Sequence, residues 1–172
     1  PETTFPEQAE AGDDGLLVNG FRIRNSHSLR QGQALTLGQA TEISSNIYFA
    51  LVGLATGGDN LAEFAERLGF GAPIPFDLPT AASQVTNGRG DDPGGFVDDV
   101  ELANAAYGQG QTQATPLQMA LVAAAIAERG ALMVPHVVDG LRDASGSVDR
   151  VEPSLWRQVL DSGRAESIAR AM

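Results

Sequence analysis

The chain has 172 residues, 42% of them hydrophobic, with 22 acidic residues against 11 basic ones and a formal net charge of −11. Every basic residue is arginine, so this chain alone excludes Schiff-base catalysis, Walker-type phosphate loops and serine–lysine dyads. It has no cysteine, hence no disulfide framework, zinc–thiolate site or thiol nucleophile, and its acidic balance disfavours nucleic acid, which is bound largely through cations on phosphates. The length suits one domain with a buried core, and no apolar run approaches the ~20 residues of a membrane span. A chain that opens on Pro1, without methionine or signal sequence, reads as a piece of a longer protein.

Residues 1–15 are acidic and proline-containing and read as an extended, weakly ordered segment. Leu16 to Arg24 reads as two short strands around Asn19-Gly20, because both turn residues must reach positive φ. Thr36 and Gln39 have capping-box spacing and start a helix. From Asn46 to Ala55, Ile47, Ala50, Leu51 and Leu54 form one apolar helix face that Gly57-Gly58 ends. Asp59 is suited to cap the next helix, whose buried face is Leu61, Phe64, Ala65 and Leu68 and whose stop is Gly69. Residues 70–97 carry Pro73, Pro75, Pro79, Pro93 and several glycines and read as a long loop, functional or mobile. A short helix from Asp99 to Tyr107 precedes Gly108-Gln109-Gly110. Thr115 as cap, Pro116 at the first position and Gln118 completing a capping box open the strongest helix. Leu117 to Ala127 is apolar almost all round, which predicts a central buried helix ending at Gly130. Val134–Leu141 and Val148–Val151 flank Ala144-Ser145-Gly146-Ser147 as a small hairpin, and residues 154–172 are again helical.

His27 and His136 lie far apart with no partner at ligand spacing, so no metal site is expected. Asp91, Asp92, Asp98 and Asp99 lack the alternating ligands and closing glutamate of a calcium loop and read as a solvated acidic face. Arg89-Gly90-Asp91 is an adhesion tripeptide of the length that occurs by chance. No Gly-x-Ser-x-Gly elbow is present. Ser44-Ser45-Asn46 has two readings: polar residues that satisfy backbone groups where one helix ends and the next begins, or a polar cluster opening into a cleft at that joint.

Leu35-Thr36-Leu37-Gly38-Gln39-Ala40, leading into Ser44-Ser45-Asn46-Ile47-Tyr48-Phe49-Ala50, resembles the second active-site segment of penicillin-binding proteins. Leu68-Gly69-Phe70-Gly71, Ala106-Tyr107-Gly108-Gln109-Gly110, Thr115-Pro116-Leu117-Gln118-Met119-Ala120 and Val134-Pro135-His136 follow in that family's order and spacing. The likeness runs over roughly residues 15–172 and looks most like the transpeptidase domain of class B, monofunctional enzymes. That family acts through Ser-x-x-Lys, Ser-x-Asn and Lys-Thr-Gly or Lys-Ser-Gly. With no lysine, this chain holds only the second, as a piece cut between the first and third would.

The resemblance implies a mainly α fold: a single helical subdomain over residues 1–172, with small peripheral β-hairpins and without the central sheet. About five to seven helices would surround the Thr115–Arg129 helix. It implies a parent enzyme that cross-links peptidoglycan by D,D-transpeptidation through an acyl-serine, takes D-alanyl-D-alanine stem peptides as substrate and binds β-lactams, with no cofactor. The parent would work in cell division or elongation, anchored by an absent N-terminal segment at the extracytoplasmic face of a bacterial membrane, a location that lack of cysteine also fits. Ser44 would relay protons, Asn46 would hold the substrate amide and the first-motif lysine, and Ser45 would point away. Gln109 either lines the cleft or sits in a turn that its two glycines permit. The chain alone would be inert and, lacking its sheet, prone to self-association. The alternatives are a non-catalytic peptidoglycan-binding or scaffold module of the same fold, and a calcium-dependent acidic surface domain.

Overall fold

The structure is a computed structural model describing residues 3–11, 14–26, 34–88 and 95–172; His27, the Arg89-Gly90-Asp91 tripeptide and Asp92 lie outside them. The described elements are α1 (Glu7–Ala11), β1 (Leu16–Val18), β2 (Phe21–Ile23), α2 (Leu37–Glu42), α3 (Asn46–Thr56), α4 (Gly58–Arg67) and α5 (Asp99–Ala106). They continue with α6 (Pro116–Ala127), β3 (Ala131–Met133), β4 (Gly140–Arg142), β5 (Val148–Arg150), β6 (Leu155–Gln158) and α7 (Ser162–Ala169). Among the described residues the strands form only antiparallel pairs, β1–β2, β3–β6 and β4–β5, so the fold is mainly helical with no larger sheet. The chain divides into two compact units. The first comprises Pro1–Ala65, Gln84–Gln113 and Arg170–Met172, and the second Glu66–Ser83 and Ala114–Ala169.

In the first unit the Asn19-Gly20 turn closes the β1–β2 hairpin with φ of 46° and 84°, and the register Val18↔Phe21 turns Val18 and Ile23 into the core. Residues 1–15 are not simply extended. Residues 7–11 form α1, and the buried Gln8 amide exchanges two hydrogen bonds with the Leu35 backbone, at 3.2 and 3.1 Å. A buried amide bonded on both sides removes a large desolvation penalty, and this anchors a segment whose composition suggests disorder. Thr36 caps α2 in a complete capping box with Gln39.

Helix α3 carries the core: Ile47, Tyr48, Ala50, Leu51 and Gly53 are all buried. The Tyr48 ring stands edge-on to Phe5 and Phe49, and its hydroxyl donates to the Thr3 carbonyl. Helix α3 packs against α5 so closely that a Cβ on Gly53 would lie 2.3 Å from the Ala106 Cβ. Gly57 ends α3 at φ 83°, and α4 begins at Gly58, so Asp59 falls in its first turn and is not the cap. Of the face expected for α4 only Ala65 is fully buried. Asp98 caps α5 by accepting from the Glu101 N–H at 2.8 Å, while Phe96 packs with Leu102 and Ala105. Thus the described aspartates of the acidic loop cap and flank a helix start.

In the second unit Thr115 caps α6 and Pro116 occupies its first position, as predicted. The capping box is not completed, because Gln118 turns inward: it is fully buried, and its Nε2 donates to the Leu68 carbonyl at 2.7 Å. Nor is α6 buried all round. It buries Gln118, Leu121 and Ala125, while Met119, Ala120, Ala123, Ala124 and Ala127 are exposed. A helix apolar on every side carries no period that selects a face, so its neighbours decide which face is covered. Arg129 at φ 54° and Gly130 at φ 92° reverse the chain; a Cβ on Gly130 would meet the Leu160 carbonyl at 2.1 Å. That approach lets β3 pair with β6, so residues 154–172 are not one helix: they begin with a strand, and α7 follows. The β4–β5 hairpin forms about the expected turn, closed by Asp143 accepting from Ser145 and Ser147, but its first strand is Gly140–Arg142, not the expected Val134–Leu141. Residues 70–83 of this unit hold neither helix nor strand.

The α3–α5 contact yields a direct test. Gly53→Ala forces two methyl groups into one space and should lower stability by about 1–3 kcal/mol despite alanine's better helix propensity. Adding Ala106→Gly should recover part of the loss in chemical denaturation. A neutral Gly53→Ala would show that the helices stand further apart.

Candidate active site

The Ser44–Asn46 segment is a corner between two helices of the first unit. Helix α2 ends in paired reversals: the Ser45 N–H bonds the Ala40 carbonyl at 2.9 Å and the Ser44 N–H bonds the Thr41 carbonyl at 3.2 Å. This pattern needs its penultimate residue in the left-handed region, where glycine is the usual occupant. Here the residue is Ser44, at φ 54°. A left-handed conformation costs an L-residue about 1–2 kcal/mol, and such strain concentrates at functional sites. Ser44 is exposed, and among the described residues its hydroxyl makes no hydrogen bond.

Ser45 and Asn46 are placed differently. Ser45 is fully buried and caps α3, its Oγ accepting from the Tyr48 N–H at 3.2 Å and donating to Asn25 Oδ1 at 3.2 Å. The same Asn25 oxygen accepts the Ile47 N–H at 3.0 Å. Asn46, half-buried, donates from Nδ2 to the Arg24 carbonyl at 2.9 Å. Among the described residues, one Nδ2 hydrogen and the Oδ1 acceptor remain for another partner. The capping reading of the segment therefore belongs to Ser45, and the two residues expected to do chemistry flank it. No local pattern in the sequence marks Asn25, which stands 20 positions before Ser45.

Gln109 is exposed on a turn held by Gly108 at φ 79° and Gly110 at φ 71°, its N–H bonded to the Asn104 carbonyl at 2.9 Å. Among the described residues no hydrogen bond joins it to the corner. The end of α5 beside it meets α3 at Gly53, about 10 Å along the helix axis from Asn46. In the second unit, His136 lines a groove with Pro75, Phe76, Asp77, Pro135 and Glu152. Asp77 closes that groove by accepting from the Val137 and Val138 N–H groups at 2.8 and 3.2 Å, and these bonds hold its carboxyl below the usual range. Among the described residues no group of three or more His, Asp or Glu side chains is placed to hold a metal.

The family model of the penicillin binding protein transpeptidase domain matches residues 2–172. The chain belongs to that family. It is 32% identical over 141 residues to penicillin-binding protein 3 of Bacillus subtilis, a match covering 81% of this chain and 19% of the relative. To the peptidoglycan D,D-transpeptidase PbpA of Mycolicibacterium smegmatis it is 35% identical over 142 residues, covering 82% of this chain and 28% of that one. It thus spans under a third of the curated relatives' length. Among solved structures it resembles PBPA from Mycobacterium tuberculosis, with a TM-score of 0.78 at 26% identity over 89% of this chain and 35% of that chain. That protein is also known as penicillin G and imipenem acyl-enzyme complexes. The D,D-transpeptidase domain of a peptidoglycan glycosyltransferase from Eggerthella lenta gives 0.78 at 30% identity over 96% of this chain and 43% of that one.

Two measurements check this geometry. Ser45→Ala removes the cap of α3 and should cost about 0.5–2 kcal/mol in denaturation, where a surface serine would cost nothing. Asp77 has a lowered pKa, so its two amide bonds contribute above the ordinary aspartate value of ~3.9 and are lost as pH falls through the depressed folded value. The Val137 and Val138 amide resonances should titrate together in that acid window, and Asp77→Asn should abolish the titration.

Proposed function

We propose that this chain is the helical part of a peptidoglycan D,D-transpeptidase that forms an acyl-serine with stem peptides and is acylated by β-lactams. Family membership and relatives named as D,D-transpeptidases support the reading, as does a structural neighbour captured with bound penicillin G. The observation that carries it is Ser44, an exposed serine whose hydroxyl makes no hydrogen bond among the described residues, held where glycine would cost least. The chain has no lysine, so Ser-x-x-Lys and the lysine of the third motif belong to the rest of the parent.

In that parent the motif serine attacks the carbonyl of the penultimate D-alanine, with the neighbouring lysine as base, since a serine hydroxyl is a poor nucleophile unaided. The tetrahedral adduct collapses, the C–N bond to the terminal D-alanine breaks, and the leaving nitrogen takes up a proton. Ser44 can accept a proton from the lysine side and donate its own to that nitrogen, because a hydroxyl is donor and acceptor together. Attack by an amine of a neighbouring stem peptide on the acyl-serine then forms the cross-link and frees the serine. Asn46 orients the substrate amide and the lysine through its free Oδ1 and remaining N–H. Gln109, exposed on its two-glycine turn, is assigned to substrate contact in this reading. The parent works at the extracytoplasmic face of a bacterial membrane; among the described residues no helix is long and apolar enough to cross one. A parent lacking both lysine motifs would instead be a peptidoglycan-binding or scaffold module.

The chain alone should remain unlabelled by fluorescent penicillin while the full-length parent is labelled. In the parent, Ser44→Ala and Ser44→Gly should both slow acylation by roughly 10²–10⁴-fold. Ser44→Gly should also raise the melting temperature, by relieving a left-handed cost of about 1–2 kcal/mol. Acylation at the parental rate in Ser44→Gly would overturn the assignment.

A further inference from the structure

We propose that Asn25 is a positioning residue for the Ser44–Asn46 corner, a role that rests on reading that corner as the transpeptidase site. Asn25 follows β2, whose last residue, Ile23, is buried in the core, so its backbone is anchored independently of the corner. Its Oδ1 accepts from both the Ser45 hydroxyl and the Ile47 N–H, and Ser45 in turn accepts from Tyr48. One carbonyl oxygen thus takes up donors from the cap and the second residue of α3. The adjacent Arg24 carbonyl receives Asn46 Nδ2, so consecutive residues of the β2 exit hold both residues that follow Ser44.

That arrangement bears on Ser44 itself. Its left-handed φ is fixed on one side by the end of α2, through the bonds to Thr41 and Ala40. On the other side it depends on Ser45 and the first turn of α3 staying in place, and Asn25 accepts from both while the Arg24 carbonyl holds Asn46. Without that oxygen the Ile47 N–H loses its partner and the Ser45 hydroxyl its acceptor. The corner is then free to relax toward ordinary backbone, swinging the Ser44 hydroxyl and the Asn46 amide off their lines. Asn25 need not touch substrate to matter, because misplacement of about 1 Å at a reacting group can cost ~10²-fold in rate.

The test uses the full-length parent and penicillin, separating non-covalent binding from the first-order acylation step. Asn25→Ala should slow acylation by roughly 10–100-fold with little change in half-saturating penicillin. Asn25→Asp, which keeps an acceptor at the same place, should acylate close to the parental rate; a residue needed only for folding would show no such selective loss in the acylation step. If Asn25→Ala does not fold, Asn25→Gln carries the comparison, since it displaces the same amide by one methylene and should acylate more slowly than Asn25→Asp. Parental acylation in Asn25→Ala, or equal rates for the Gln and Asp variants, overturns the proposal. Ser44→Ala measured alongside separates the two layers: if it is slow while Asn25→Ala is normal, only the positioning role fails. If Ser44→Ala acylates at the parental rate, the catalytic reading beneath it fails.

Discussion

The turn from α2 into α3 depends on one residue held in the left-handed region. Ser44 closes the last carbonyls of α2 and releases the chain in a new direction, so that Ser45 caps α3 and Ile47 and Tyr48 enter the core. Helix α3 then supplies the buried surface on which the β1–β2 hairpin, α1 and α5 converge. The same torsion leaves the Ser44 hydroxyl outside and the Ser45 hydroxyl inside. Two adjacent serines thereby acquire opposite surroundings from a single backbone angle.

The corner also limits the chemistry it can supply. Helix N-termini often stabilise anions through unpaired N–H groups. At α3 the Ile47 and Tyr48 amides are already bonded to Asn25 and Ser45. In the proposed role the corner handles a proton and orients an amide, and these two N–H groups are not available to an oxyanion. Two exposed carboxylates already have structural partners: Asp98 serves a helix cap and Asp77 a loop clamp.

What was legible in the sequence was local. Asn19-Gly20, the Thr36 capping box and the Thr115-Pro116 start each encode their geometry within about four residues, and each appears as read. The position of Ser44 and Asn46 at a helix joint was equally readable, because the helices on both sides have strong signals. What was not legible depends on partners far along the chain. The spacing assigns Gln118 to its own helix start, yet Leu68 captures it from 50 positions away. Leu155–Gln158 continued a helical pattern, but β3 offers it a strand edge, and β-structure is decided by such neighbours more than by propensity. Helix α6 shows no face in sequence because its residues are apolar on nearly every side, and packing alone assigns the buried and exposed sides.

The segment that composition marked as loose has a mechanical meaning in this fold. Thr3 receives the Tyr48 hydroxyl, Phe5 packs on the Tyr48 ring, and Gln8 grips the backbone at Leu35. Tyr48 lies two residues after Asn46, and Leu35 immediately precedes the cap of α2. Residues 3–8 are therefore coupled to both helices that meet at Ser44, one on each side of the bend. Force on this short stretch would be delivered to the angle between α2 and α3, with the tyrosine ring as the fulcrum.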